Sequence, residues 1–338
     1  MNIPYRTQQA LKRAAITLLI LLLAAAVVWF CWLLWLNRFV VYTENGAVLD
    51  FDRSAEVLSG EPALPPEDAA PISIYYNEGD DAVQSTKELS QLTGYYIDTA
   101  ALQGDIEIIK QQIRSLPTGT PVMIEVKNSF GAFYYQTNVS QHITDTLDVA
   151  KVDELLTFLD KSGMYTIARL PALRDYAYGL NHTRDGLPTS GGYLWADEDY
   201  RYWLNPGTEG TLTYLISIAN ELKNRGFDEV VFFEFEFPKT NAIVFHGDKA
   251  QTLAQAAQTL VNTCATGNFA VSFEGSDGFT PPTGRSRVFW ENVDAIDAQS
   301  IAENAGVADT AVNLVFVTNL YDTRFNEYGV MRPLDSVL

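Results

Sequence analysis

From about residue 72 onward, short apolar segments alternate with longer amphipathic ones, and this alternation constrains the fold more than any other feature. The apolar segments predict strands at 94–99, 121–128, 165–173, 230–237, 269–275 and 311–319, with a weaker one at 293–296. Helical patterns lie at 103–115, 150–161, 208–224, 247–263 and 297–305. Repeated strand–helix units require a parallel sheet, and their number favours a (β/α)8 TIM-like barrel over an open doubly wound sheet.

An uncharged apolar run precedes this pattern. Residues 14–36 are long enough to span a bilayer as a helix. Arg6, Lys12 and Arg13 precede the run and Arg38 follows it, so the positive-inside rule places residues 1–13 in the cytoplasm and the rest of the chain outside. A cleaved signal peptide is the alternative, but the Trp-rich end of the run lacks a small-residue cleavage site.

Residues 37–71 read as a stem between this anchor and the barrel domain at 72–338. The segment 39–51 alternates around Asn45-Gly46, a pattern typical of a β-hairpin. Residues 59–71 are rich in proline, alanine and acidic side chains, which indicates a semi-rigid spacer. The sequence therefore predicts a single-pass protein of the cell membrane with an extracytoplasmic C-terminal domain.

Charge and composition exclude several kinds of partner. The formal net charge is −19, so nucleic acid and anionic polymers are poor partners, while neutral or cationic ligands remain allowed. The three histidines, at 142, 182 and 246, have no metal-ligand spacing, and no Gly-rich phosphate loop follows any predicted strand. We expect no metal and no cofactor.

Most of the predicted strands end in a polar residue, and in a barrel these ends meet at the active-site mouth. The residues are Asp98, Glu125, Arg169, Glu234, Glu236 and Glu274. Because successive strand residues face opposite sides, Glu234 and Glu236 are expected to share one face and Phe233, Phe235 and Phe237 the other. The alternative for each strand-end acid is that it caps the next helix or pairs with an arginine.

A long segment between residues 174 and 206 is rich in aromatic residues, among them Trp195, Tyr202 and Trp203. Long loops in compact domains are usually functional. Flat aromatic faces stack on sugar rings, and acidic side chains accept hydrogen bonds from sugar hydroxyls. This combination predicts carbohydrate binding, the alternative being a hydrophobic cluster that holds the loop on the barrel rim.

Three segments carry a resemblance to a known family. IARLPALRD (167–175), GGYLWADEDYRYWLNP (191–206) and GFDEVVFFEFEFP (226–238) resemble, in order and spacing, a bacterial glycoside hydrolase domain with a (β/α)8 barrel related to α-amylase-like enzymes. The resemblance implies a glycan substrate. Together with the strand ends and the aromatic loop, it predicts a substrate-binding set, in which Asn205 stands where the family has Asp. That set comprises Asp98, Glu125, Arg169, Asp175, Trp195, Tyr202, Trp203 and Asn205.

The same alignment places Phe233 at the family's catalytic Asp and Glu236 at an Arg. A phenyl ring can neither attack an anomeric carbon nor stabilise an oxocarbenium ion. Either the chemistry has moved to Glu234, Glu236 and Glu274, or hydrolysis has been lost. The tail from Glu234 to Pro238 also imitates the acidic strand motif of chitinase-like barrels, although Phe232 replaces its first Asp.

Three hypotheses remain from the sequence. The first is a membrane-anchored glycoside hydrolase that acts on an envelope or extracellular polysaccharide. The second is a degenerate barrel that binds such a glycan without cleaving it. The third is a scaffold that docks another envelope protein.

Overall fold

The computed structural model describes Trp29, Trp32, residues 40–43, residues 46–49 and residues 88–334. The predicted cytoplasmic tail, the spacer at 59–71 and the anchor at 14–36, apart from its two tryptophans, lie outside the described residues. No helix within the described part of the chain is long and apolar enough to cross a membrane.

The hairpin predicted after the apolar run is confirmed. Strands β1 (Val40–Thr43) and β2 (Gly46–Leu49) pair antiparallel, with Thr43 opposite Gly46. This hairpin belongs to a compact unit of its own, separate from the unit that contains the barrel.

The predicted barrel is also confirmed, as a closed ring of eight parallel strands in the order β10-β3-β4-β5-β6-β7-β8-β9. The strands are β3 (Thr93–Ile97), β4 (Pro121–Glu125), β5 (Tyr165–Pro171), β6 (Glu229–Phe233), β7 (Ala270–Glu274), β8 (Val288–Glu291), β9 (Leu314–Val317) and β10 (Gly329–Pro333). Every strand pairs with both neighbours, which leaves no open sheet edge.

Helices cover the outside of the ring. They lie at Thr99–Leu102, Ile106–Arg114, Val149–Lys161, Tyr176–Asn181, Glu209–Asn224, Lys249–Cys264, Ala298–Asn304 and Thr310–Asn313, with a 3-10 turn at Thr323–Phe325. The five helical patterns read from the sequence all fall on helices. Aspartate side chains cap several of them, as Asp148 does by accepting a hydrogen bond from the Lys151 backbone amide.

Three strand predictions need correction. No strand covers 293–296, because the chain forms its strand earlier, at Val288–Glu291. The segment 311–319 begins as a helical turn before β9. The strand predicted at 230–237 ends at Phe233, because Glu234 has a φ of 50°, in the left-handed region that breaks strand alternation.

This break changes which phenylalanines share a side. Phe233 lies in the cluster inside the barrel, whereas Phe235 and Phe237 lie in the larger cluster between the barrel and its helices. Within β6 the alternation holds, since Val231 joins Phe233 inside and Phe232 faces the helices.

A buried ion pair fills the amino-terminal end of the barrel. Arg287 Nη1 lies 2.5 Å from Glu229 Oε2, and the two side chains are 1% and 0% exposed. Ser272 and Tyr165 donate hydrogen bonds to the same carboxylate, the latter at 3.0 Å. Each oxygen of the Glu229 carboxylate therefore has a donor, as a buried charge requires.

Candidate functional site

Arg169 is the centre of the opposite, carboxyl-terminal end of the barrel. Its Nη2 donates to Glu291 Oε2 at 2.8 Å, and its Nη1 donates to Glu125 Oε1. Strands β5, β8 and β4 thus each contribute one side chain to a single ion-pair cluster. About one fifth of each side chain remains exposed, 22% for Arg169 and 20% for each glutamate. We call these three residues the mouth cluster.

The two glutamates of the mouth cluster keep the Arg169 guanidinium charged. Burial lowers the pKa of Arg169, but the charges of Glu291 and Glu125 outweigh burial and raise that pKa overall. Burial raises the pKa of Glu291, and the neighbouring guanidinium opposes this shift. The arrangement holds two acids around one fixed cation.

Further groups orient Glu125 and border a small pocket. Thr99 donates to Glu125 Oε2 from its backbone amide at 2.8 Å and also from its hydroxyl. A pocket of about 170 Å³ opens here. Its lining includes Tyr96, Asp98, Glu125, Arg169, Glu291 and Asn292. The structure therefore brings together three of the predicted substrate-binding residues, although Asp98 also caps the helix Thr99–Leu102.

Phe233 lies beneath the guanidinium of the mouth cluster. The Arg169 Cζ atom is 4.1 Å from the centroid of the phenyl ring, and Phe233 is 2% exposed. A cation over an aromatic face is attracted by the ring quadrupole. The position at which the resembling family has its catalytic Asp thus holds an apolar support for Arg169.

Glu274 ends β7 on the side of the barrel interior, next to the mouth cluster. Its Oε2 accepts a hydrogen bond of 2.6 Å from the Glu234 backbone amide. Burial raises the pKa of Glu274 to about 7; the Glu234 amide lowers it, and the charge of Glu291 raises it further. A carboxyl group with this pKa can donate or accept a proton near neutral pH.

Glu234 and Glu236 do not form the expected pair on one strand face, because both follow the end of β6. Glu234 Oε1 accepts from Arg174 Nη1 at 2.9 Å. Glu236 is half-buried, and burial raises its pKa, which Lys239 lowers and Glu234 raises. Because the backbone at Glu234 is left-handed, strand alternation stops there, and the two glutamates no longer project from one strand face.

Arg174 pairs with two acids of the aromatic-rich segment 174–206, which we call the aromatic loop. Its Nε lies 2.6 Å from Asp197 Oδ2, and its Nη2 lies 2.7 Å from Asp199 Oδ2. Trp203 donates its indole N–H to the same Asp197 oxygen at 2.9 Å. Arg174 therefore joins this loop to Glu234.

Asp175 lies away from the mouth. It is fully buried, 2.9 Å from Lys127 Nζ, and it accepts hydrogen bonds from Tyr214 Oη and the Tyr178 amide. Asp175 was predicted to bind substrate, whereas the structure encloses its carboxylate among these partners.

The other loop residues divide between packing and exposure. Trp203 is only 8% exposed, and Trp195 packs against the core. Tyr202 stacks on Tyr176, with ring centroids 5.3 Å apart. The Asn205 side chain accepts from the Gly207 amide. These contacts favour the interpretation of a cluster that holds the loop in place.

Among the aromatic side chains of this loop, Tyr193 and Tyr200 are the most exposed, each at 79%.

Among the described residues, no group of histidine, cysteine, aspartate and glutamate side chains could hold a metal ion.

Sequence reasoning missed Glu291, although its local pattern resembles that of Glu274. In Val288–Glu291 three apolar residues precede an acid at the strand end, and in Ala270–Glu274 three apolar residues and one serine do so. The run is short, and its assignment as a strand depends on pairing with β7 and β9.

Comparisons with known proteins were made against families, curated sequences and solved structures. Residues 93–267 match the model of a family described as "Putative glycosyl hydrolase domain". Comparison with curated protein sequences gives no match.

Several solved structures align with part of this chain. A hypothetical protein from Ruminiclostridium thermocellum aligns at 18% identity and a TM-score of 0.46, over 53% of this chain and 96% of that one. An exo β-N-acetylglucosaminidase from Vibrio harveyi aligns at 11% sequence identity and a TM-score of 0.48, over 73% of this chain. An α-galactosidase from Geobacillus stearothermophilus aligns at 10% sequence identity and a TM-score of 0.47, over 74% of this chain. This chain spans 46% and 41% of those two enzymes.

Proposed function

This chain belongs to the family of glycosyl hydrolase domains matched at residues 93–267, and from that premise we propose that its barrel binds a neutral carbohydrate at the carboxyl-terminal mouth. The observation that carries the proposal is the mouth cluster. Two oriented carboxylates and a guanidinium remain partly exposed around a pocket of about 170 Å³. Ligand sites in barrels occur at this face.

The mouth cluster suits sugar hydroxyls. A carboxylate that already pairs with an arginine keeps lone pairs for further donors, and a hydroxyl can also accept from a guanidinium. The fixed partners order the glutamates before a ligand arrives, which lowers the entropic cost of binding.

Hydrolysis is the second candidate, and the state of Glu274 favours it. A carboxyl group with a pKa of about 7 can act as a general acid near neutral pH, and Glu274 lies next to the mouth cluster. In this mechanism Glu274 protonates the glycosidic oxygen, and a neighbouring carboxylate stabilises the positive charge that develops on the sugar. Phe233 cannot take the latter role.

The location proposed for this barrel is outside the cytoplasm, anchored through residues 14–36. The charge asymmetry around that run supports the proposal. Protease added to intact cells should digest the domain beyond residue 72 and spare residues 1–13. Digestion only after lysis would contradict this topology. In that location an envelope or extracellular polysaccharide is the proposed partner.

Binding can be tested by titrating the full-length protein with a panel of neutral oligosaccharides. Glu291→Gln should weaken binding about tenfold, because it removes one of the two charges that orient Arg169. The matched control is Glu303→Gln, an exposed acid on the helix Ala298–Asn304. Equal affinity of the wild type and Glu291→Gln for every bound sugar would refute mouth binding.

Hydrolysis is tested separately on the same panel by reducing-end release. If Glu274 is the acid, Glu274→Gln should abolish turnover and preserve binding, because the amide keeps the shape of the protonated carboxyl group but has no acidic proton. A wild-type protein that binds a sugar and never cleaves it would leave the binding function alone.

A further inference from the structure

A large groove lies outside the mouth, on the outer face of the barrel. It has a volume of about 1,380 Å³ and runs between residues 138–141, the helix Tyr176–Asn181 and the helix Glu209–Asn224. We call it the lateral groove. No residue of the mouth cluster lines it.

The walls of the lateral groove are held in place by charged residues that are already paired. Glu221 accepts hydrogen bonds from Tyr135 Oη at 3.0 Å and from the Asn138 amide at 2.8 Å. Arg225 lies 2.9 Å from Asp153 and also donates to the Gln136 carbonyl. These contacts tie the loop wall to the helix wall, so the groove exists without a ligand.

A stack of three rings forms a rigid platform in the lateral groove. Tyr178 lies between Tyr214 and His182, with centroid distances of 4.0 and 4.1 Å and interplanar angles of 17° and 15°. Tyr214 is buried and His182 is exposed, so the outer imidazole face is the free end of the stack. His182 Nδ1 also lies 3.2 Å from the Tyr178 carbonyl oxygen, which fixes the ring.

Uncharged polar side chains line the floor along the helix Glu209–Asn224. Thr213, Ser217, Asn220 and Asn224 recur at helical spacing on its groove side and extend over about 16 Å, at about 1.5 Å per residue. Within residues 88–334, the side-chain amides of Asn220 and Asn224 make no hydrogen bond. Each amide can both donate and accept.

The charges that border the lateral groove argue against an anionic ligand. Asp185, Glu209 and Glu221 line it, and the guanidinium of Arg225 is already engaged by Asp153. A flat ring face beside a row of neutral amide and hydroxyl groups matches a ligand with apolar ring faces and many neutral hydroxyl groups.

We propose that the lateral groove is a second carbohydrate-binding site, which holds a neutral glycan chain along the helix Glu209–Asn224 with one sugar ring on His182. This inference rests on the proposed binding of carbohydrate by the domain. The two sites differ in the length of ligand they take, since the mouth pocket measures about 170 Å³ and the lateral groove about 1,380 Å³.

The test compares polymers with disaccharides on the full-length protein in detergent, using soluble cellulose derivatives, xylan and amylose and their disaccharides. His182→Ala and Asn220→Ala should each lower affinity for the bound polymer about tenfold and leave disaccharide affinity unchanged. The matched controls are His246→Ala and Asn262→Ala, which change exposed residues outside the lateral groove. Circular dichroism of each variant verifies folding.

The outcomes separate the two sites. Polymer affinity that falls with Glu291→Gln and is unchanged by His182→Ala and Asn220→Ala would overturn the lateral site and leave the mouth proposal standing. A second outcome is that His182→Ala and Asn220→Ala lower polymer affinity while Glu291→Gln leaves disaccharide affinity unchanged. This result would support the lateral site and overturn the mouth proposal. A wild type that binds none of the polymers would overturn the lateral site.

Discussion

The two ends of the barrel use the same arginine–glutamate chemistry for different purposes. At the amino-terminal end, Arg287 and Glu229 are almost fully enclosed. At the carboxyl-terminal end, Arg169 pairs with Glu125 and Glu291, and about a fifth of each side chain stays exposed.

The use of the guanidinium donors shows the difference most clearly. Arg287 donates from Nε to the Val312 carbonyl at 3.0 Å, from Nη2 to the Ser90 carbonyl at 2.9 Å and from Nη1 to Glu229. Arg169 has two acids for one cation and a buried Nε without an acceptor in the described part of the chain. A closed network stabilises one arrangement, whereas the partly exposed carboxylates at the mouth keep lone pairs that a ligand can use.

The largest expected effect is on the closed end. Glu229→Gln should lower the free energy of unfolding by about 3–5 kcal/mol, because it leaves the buried Arg287 without its counter-charge. Glu125→Gln at the mouth should cost only about 1–2 kcal/mol, since Arg169 keeps Glu291. Denaturant unfolding of both variants measures the comparison. Equal losses would show that the two ends do not differ as described.

The next effect concerns pH. Because the folded pKa of Glu274, about 7, lies above the ordinary value of 4.5, ionisation opposes folding. The stabilising contribution of the protonated group is complete below about pH 4.5 and is lost as the pH rises through about 7. Glu274→Gln should therefore be the more stable protein above pH 7, by at most about 3 kcal/mol.

Unfolding measured at several pH values tests this prediction, with Glu303→Gln as the exposed control. A wild-type stability that changes with pH in the same way as that of Glu274→Gln between pH 4.5 and 8 would contradict the raised pKa.

The smallest effect is expected from Arg169→Lys. A lysine ammonium lacks the planar fork that lets a guanidinium bridge two carboxylates, so the unfolding free energy should fall by about 1 kcal/mol. Carbohydrate affinity at the mouth should fall severalfold in the same variant. Arg184→Lys, at an exposed position, is the control. Unchanged stability and affinity in Arg169→Lys would indicate that the bridge is dispensable.

Several site predictions depended on whether strand alternation continued. Glu125 and Glu274 end their strands, Arg169 lies two residues before the end of β5, and all three strands have apolar patterns long enough to read. The structure places these side chains at the mouth. Glu234 was predicted from the same alternation and lies just beyond its strand, in a left-handed turn. Local pattern alone does not show where the strand ends.

Asp175 illustrates a different difficulty. It follows β5 closely and carries a charge, as a site residue does. Its burial depends on Lys127 and Tyr214, which lie 48 and 39 residues away in the sequence. β10 was missed for a similar reason, since Gly329–Pro333 has few apolar residues and is a strand because β9 and β3 pair with it.

The sequence by itself determined the barrel class, the helices and the acidic strand ends, because hydrophobic periodicity and helix caps are local properties. The tertiary structure decided which acids meet around Arg169. It also decided that burial raises the pKa of Glu274, and that Asp175 and Glu229 are enclosed in buried ion pairs. Ring closure brings together side chains more than a hundred residues apart, as it does Arg169 and Glu291, and burial sets their charge states.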